Sequence, residues 1–105
     1  MSQYWNNQLS LPAPELIQAM TGLSVLIGTL LHNPVKLILD NQSTTAVVLY
    51  VSFDGGTTKL QWKTFSGAEA LVLDDDLSTF SKGTSFYGNG AANGSFSVAY
   101  TYMKE

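Results

Sequence analysis

Residues 34–56 read PVKLILDNQSTTAVVLYVSFDGG. An apolar run is followed by a polar turn, a second apolar run and an Asp-Gly-Gly turn. Val35, Leu37 and Leu39 alternate with Lys36, Ile38 and Asp40. Asn41-Gln42-Ser43-Thr44-Thr45 is a turn by composition. Val47, Leu49, Val51 and Phe53 then occupy one face of a second strand. Glycine at 55 and 56 supplies the positive φ that a hairpin after Asp54 requires. The reading is two adjoining strands with a third to follow.

Working outward, the same alternation recurs. Lys59–Phe65 is a strand with Leu60 and Trp62 on one side. Ser66-Gly67 turns the chain, Ala70–Leu73 is a short strand, and Asp74-Asp75-Asp76 ends it. Leu77–Lys82 reads as a loop, Thr84–Tyr87 as a short strand and Gly88–Gly94 as a flexible turn. The last strand puts Phe96, Val98, Tyr100 and Tyr102 on one face in strict period two. Toward the N-terminus, Glu15–Leu31 is ambiguous between a helical stripe and alternation. Gly22, Gly28 and the β-branched residues between them favour a short turn or helix near Glu15–Met20, then a strand near Ser24–Leu31. In that strand Leu23, Val25, Ile27, Thr29 and Leu31 share a face. Met1–Leu11 reads as an extended arm, since Pro12 and Pro14 oppose a helix through them. The expectation is an all-β chain: a single antiparallel β-sandwich or jelly roll of about seven to eight strands. Residues 1–13 would form an N-terminal arm and residues 14–105 the sandwich domain.

Composition bounds the function. The chain of 105 residues suits one domain with its own core. Only 12% of residues are charged, where about 25% is usual. Ser, Thr, Asn and Gln number 32, against 13 charged residues (5 basic and 8 acidic). Such a neutral, wettable surface suits a subunit covered by neighbours, because interface cores are depleted in charge. It also suits a small, weakly charged monomer. Net charge is −3 and arginine is absent, which argues against a nucleic-acid partner. The absence of cysteine rules out disulfides and thiolate metal sites. The N-terminus does not read as a signal peptide, and the most apolar window, Leu23–Leu31, is too short for a membrane-spanning helix.

No motif carries catalytic chemistry. His32 is the sole histidine. A hydrolytic relay would need it with a partner such as Asp40 or Asp54, but its place before a proline turn favours a structural role. Asp74–Asp76 lacks the alternate ligands and closing glutamate of a calcium loop and reads as a solvated acidic turn. Glu15 and Glu69 would form a carboxylate pair only by an accident of folding. Gly88–Gly94 follows no strand-to-helix pattern, so it is no phosphate loop. Trp62, Tyr87 and Tyr100 are the aromatics that a carbohydrate- or receptor-binding module would expose. Packing in a core or interface is the plainer reading of Trp62. No metal or other cofactor is implied.

Three segments carry a family resemblance: KLILDNQSTTAVVLYVSFDGGTT, SGAEALVLDDD and FSKGTSFYGNGAANGSFSVAYTYM. Their order resembles small β-sandwich virion proteins encoded by tailed bacteriophages. Asn41, Ser52-Phe53-Asp54-Gly55, Leu73-Asp74, Lys82-Gly83-Thr84 and Gly94–Tyr102 carry the match, which spans roughly the last seventy residues. The stretch before Pro34 departs from it. The resemblance implies a non-enzymatic subunit of a capsid, neck or tail, located in the virion and present in many symmetric copies. Its partners would be copies of itself and proteins such as the major capsid protein, with no nucleic acid and no membrane. Tyr4, Trp5, Leu9 and Leu11 are the expected intersubunit anchors, as apolar residues outside the sandwich pattern.

Overall fold

The computed structural model describes residues 10–74, 77 and 79–103. They form nine strands: β1 Ser10–Pro12, β2 Leu16–Ala19, β3 Ser24–Thr29, β4 Pro34–Asn41, β5 Val47–Ser52, β6 Leu60–Phe65, β7 Ala70–Leu73, β8 Ser85–Gly90 and β9 Ser95–Met103. One sheet runs β1-β9-β4-β7, with β2 also paired to β9. The other runs β3-β8-β5-β6. Every pairing is antiparallel. The chain is all-β with two facing sheets, as the alternation implies.

The pairs are nested. β5 meets β6, β4 meets β7, β3 meets β8 and β2 meets β9. The chain is thus one long hairpin, bent over so that successive pairs fall in opposite sheets. Two cross-pairs, β4·β9 and β5·β8, close the roll. This is jelly-roll connectivity. The strand total exceeds the expected seven or eight because residues 10–19 contribute two short strands to one edge of β9. Between them Ala13 alone bonds inward, its N–H donating to Tyr100 O at 2.9 Å. Pro12 and Pro14 have no N–H to continue the ladder.

The core lies between the sheets. Leu37, Leu39, Val47, Leu49, Phe65, Phe86, Phe96 and Val98 are fully buried. Phe65 and Phe96 meet edge-to-face across it, with centroids 5.1 Å apart, a geometry that ring quadrupoles favour. Each buried Leu or Phe contributes about 1.5–3 kcal/mol relative to exposure. In the quoted stretch the alternation holds from Leu37 through Val51, with two qualifications. A register shift between Pro34 and Lys36 turns Val35 out to solvent. Asn41 continues the inward phase of Leu37 and Leu39, so this polar side chain is fully buried. Its Nδ2 donates to Ser66 O (2.8 Å), Thr45 O (3.0 Å) and Phe65 O (3.3 Å). Its Oδ1 accepts from Ser43 N (3.0 Å) and Ser43 Oγ (2.6 Å). Asn41 therefore ends β4 and ties the β4–β5 turn to the β6–β7 turn.

Two expectations are corrected. Leu16–Ala19 is a strand, not a helix, because it lies against Ser95–Val98 of β9. Tertiary pairing overrides a weak local helical preference there. The expected turn Gly88–Gly94 begins later than its composition implies: β8 continues to Gly90, with Phe86, Gly88 and Gly90 facing inward, and only residues 91–94 turn the chain. A Cβ on Gly90 would lie 2.7 Å from Val47 Cγ2, and one on Gly88 3.1 Å from Ile27 Cδ1. Glycine there serves close approach to the core rather than chain reversal. In β3, a bulge between Leu26 and Gly28 resets the phase. Leu30 is consequently buried and Leu31 exposed, the reverse of the simple alternation.

Candidate self-association surface

The residues weighed for chemistry are dispersed. His32 stacks on Tyr102, with ring centroids 3.7 Å apart and planes 4° from parallel. The neighbouring Leu31 N–H donates to Tyr100 Oη at 3.0 Å. Asp40 Oδ2 accepts from Gln42 Nε2 at 3.3 Å. Asp54 closes its own turn: Oδ1 accepts from Ser52 Oγ (2.8 Å) and Thr58 N (2.9 Å). The Thr58 N–H and the Ser52 hydroxyl hold its carboxyl below the usual aspartate range. Glu69 accepts from Ser66 N (2.8 Å) and pairs with Lys63 (3.2 Å), and the backbone bond first and Lys63 second lower its carboxyl likewise. Glu15 is exposed between β1 and β2. Asp74 follows β7, while Asp75 and Asp76 lie outside the described residues. Among the described residues no three His, Cys, Asp or Glu side chains gather as a metal site, and no helix is long and apolar enough to cross a membrane.

The aromatics do not make an exposed platform. Tyr100 is buried. Trp62 packs against the core and tilts onto Phe80, centroids 5.1 Å apart. Tyr87 lies under the β5–β6 loop: its hydroxyl sits against Gly56, and Lys59 Nζ lies 4.4 Å above its ring.

What remains is the pattern of edges. β3 ends one sheet, and β1 and β2 end the other. β6 and β7 are the opposite pair of edges. β2 and β3 lie on the same side of the sandwich, where the Leu16 side chain packs so closely on Gly28 that a Cβ would fall 2.8 Å from it. A free strand edge invites pairing, and monomers blunt it with charge, proline or bulges. Neither Leu16–Ala19 nor Ser24–Thr29 contains a charged residue. Beside them Ile17 is 52%, Leu23 72% and Leu26 47% exposed. Among the described residues the blunting devices on this side are the bulge in β3, the shortness of β2 and the neighbouring prolines Pro12 and Pro14. On the opposite side Leu60 and Val72 are exposed on β6 and β7, next to the Lys63–Glu69 pair.

Of the expected anchors, Leu11 lies half-buried in β1 opposite Tyr102. Tyr4, Trp5 and Leu9 lie outside the described residues. Sequence reasoning missed Ile17 and Leu26. Reading Leu16–Ala19 as a strand would have turned Ile17 outward at once.

No family model and no curated protein matches the chain. Among solved structures it is similar to one from Bacillus endospore appendages, described as a novel family of disulfide-linked pili. The likeness has a TM-score of 0.51 at 15% identity and covers 100% of this chain and 98% of that one. At that identity it supports the fold. The expectation of a bacteriophage virion subunit is not borne out: the solved structure that the chain matches over its full length is a bacterial appendage protein, not a capsid, neck or tail component. The present chain, having no cysteine, has no means of disulfide linkage.

Proposed function

We propose that the chain is a non-enzymatic structural subunit that associates with copies of itself into an extended assembly of the surface-appendage kind. The observation that carries this reading is the pair of uncharged edges, β2 and β3, which no further strand among the described residues covers, with Ile17, Leu23 and Leu26 exposed along them. Strand addition at such an edge supplies main-chain hydrogen bonds, and the flanking leucines supply apolar area. The low charge of the surface supports it, as does the lack of any gathered set of reactive side chains among the described residues. Without cysteine, cohesion rests on edge pairing and side-chain packing alone.

The test is light scattering after size exclusion across the micromolar range, with electron microscopy of the same fractions. The wild-type chain should form multimers. Leu26→Lys places a charge on the outer face of an edge strand and leaves the core untouched, so it should shift the protein to monomer with an unchanged β circular-dichroism spectrum. A wild-type chain that stays monomeric throughout, or multimers indifferent to Leu26→Lys and Leu23→Lys, would overturn the reading.

A further inference from the structure

One apolar cleft is not explained by the edges. It has a volume of about 440 Å³, with Pro34, Val35, Leu77 and Phe80 as its apolar walls and Asp74 and Ser81 at its rim. Phe80 is nearly buried and rests on Trp62 and Phe86, which makes a firm floor. Asn33, beside it, already accepts from Lys82 N at 2.7 Å. The volume falls within the ~300–1,000 Å³ of clefts that hold sizeable organic groups, and an aromatic side chain with its neighbour fits that scale.

We infer that this cleft is a socket for the indole of Trp5 from a second copy of the chain. The inference rests on the self-association reading and deepens it. Four pieces of the sheet meet at this end of the molecule. β4 begins at Pro34 opposite Tyr102, β7 ends at Leu73 opposite Leu37, β9 ends at Met103, and β1 begins at Ser10 opposite Met103. Since β1 runs antiparallel to β9, the backbone at Ser10 points past Met103 and off this end. The nine residues before Ser10 hold the aromatic pair Tyr4-Trp5 among Asn, Gln and Ser. Trp5 lies five residues from Ser10, a reach of ~17 Å when extended.

The chain's own cleft lies sideways from Ser10. Pro34 is two strand spacings away, about 10 Å, so filling it requires an immediate turn across the ends of β9 and β4. A second copy facing this end lies straight ahead. Because arm and cleft share an end, two copies related by a two-fold axis present both halves to each other, the reciprocal contact of an isologous interface. Tryptophan is the residue most enriched among interface anchors of this kind. The Asp74 carboxylate at the rim is an acceptor suited to the indole N–H.

Trp5 is read as the difference between the wild-type chain and Trp5→Phe, which leaves Trp62 in place beneath the cleft. That difference in emission and acrylamide quenching is followed over a dilution series alongside light scattering. Trp5 should emit to the blue, with a several-fold lower quenching constant, wherever copies associate, and become solvent-like on dilution. Val35→Asp puts a charge in the wall at an already exposed position and should abolish that shielding. Solvent-like Trp5 in associated protein overturns the socket and leaves the edge reading standing. So does shielding that is independent of concentration, which means that the chain fills its own cleft, or shielding that survives Val35→Asp. A dimer that resists Leu26→Lys but dissolves with Val35→Asp supports the socket and overturns the edge reading. A chain monomeric at every concentration overturns both.

Discussion

Replacing Asn41 tests the account of how the turns are held. In Asn41→Ala, five hydrogen bonds vanish. Some partners keep an alternative. Ser66 O still accepts from Glu69 N, and Thr45 O from Ser43 Oγ. Ser43 N, which is buried, loses its acceptor, and Phe65 O loses a donor. An orphaned buried group costs about 1–3 kcal/mol, and each net bond about 1 kcal/mol. Removing the amide also leaves a small void. The loss should come to about 3 kcal/mol, a large part of the ~5–15 kcal/mol that holds a domain together. In urea denaturation followed by Trp62 emission, the midpoint should fall by ~1–2 M. Asn41→Asp is the sharper variant. It preserves the acceptor for Ser43 but turns a carboxylate toward three carbonyl oxygens, so it should be no more stable than the alanine form. A loss below about 1 kcal/mol for alanine, or an aspartate variant as stable as wild type, would refute the reasoning.

Gly90→Ala drives a methyl group into Val47 and should destabilise by about 1–3 kcal/mol in the same assay, although alanine is ordinarily the better strand residue. Leu37→Ala, at a fully buried site, should cost about 2–5 kcal/mol. Lys63→Ala breaks a solvent-screened pair with Glu69 and should leave the urea midpoint close to that of wild type. Asp54 is bonded in its charged form, so its folded-state pKa lies below the unfolded one. Its contribution is therefore complete above about pH 4 and lost as pH falls through the lower folded value. An NMR titration should place that midpoint below the ordinary aspartate value, and Thr58 amide exchange should quicken at the same pH.

The strands with unbroken alternation were legible in the sequence. β9 shows large hydrophobic residues at every second position and β5 is an apolar run bounded by turn residues, and neither needs knowledge of its neighbours. β2 and the second half of β8, Gly88–Gly90, were not legible, for two different reasons. Four residues are too few to separate period two from period 3.6, so Leu16–Ala19 became a strand only through contact with β9. Gly88 and Gly90 carry no side chain to display a period, and the reason for glycine is Val47, Ile27 and Met20 on other strands. Buried Asn41 looked like a turn residue because composition cannot tell a side chain that forms a turn from one that anchors it. The candidate surface was hidden for a related reason. Ile17 fell in a segment that reads as a turn or helix and Leu26 in one that reads as a strand, and neither reading shows that β2 and β3 are last in their sheets. The resemblance to virion proteins rested on turn and strand chemistry that a jelly roll of any origin can share.

The nested pairing also decides when the molecule can exist during synthesis. β8 and β9 are the last strands made, yet each sits inside its sheet, between β3 and β5 and between β2 and β4. Until residues 85–103 have left the ribosome, β5 can find β6 and β4 can find β7, but neither sheet has its middle. Folding of these two sheets must therefore follow release of β8 and β9, and it closes contacts between distant segments, which is slow. During that interval β2 and β3 are bare apolar segments without their partner strands, with the pairing habits of an aggregation-prone strand. A chain cut before Phe96 would lack the central strand of one sheet and would be expected to clump rather than fold.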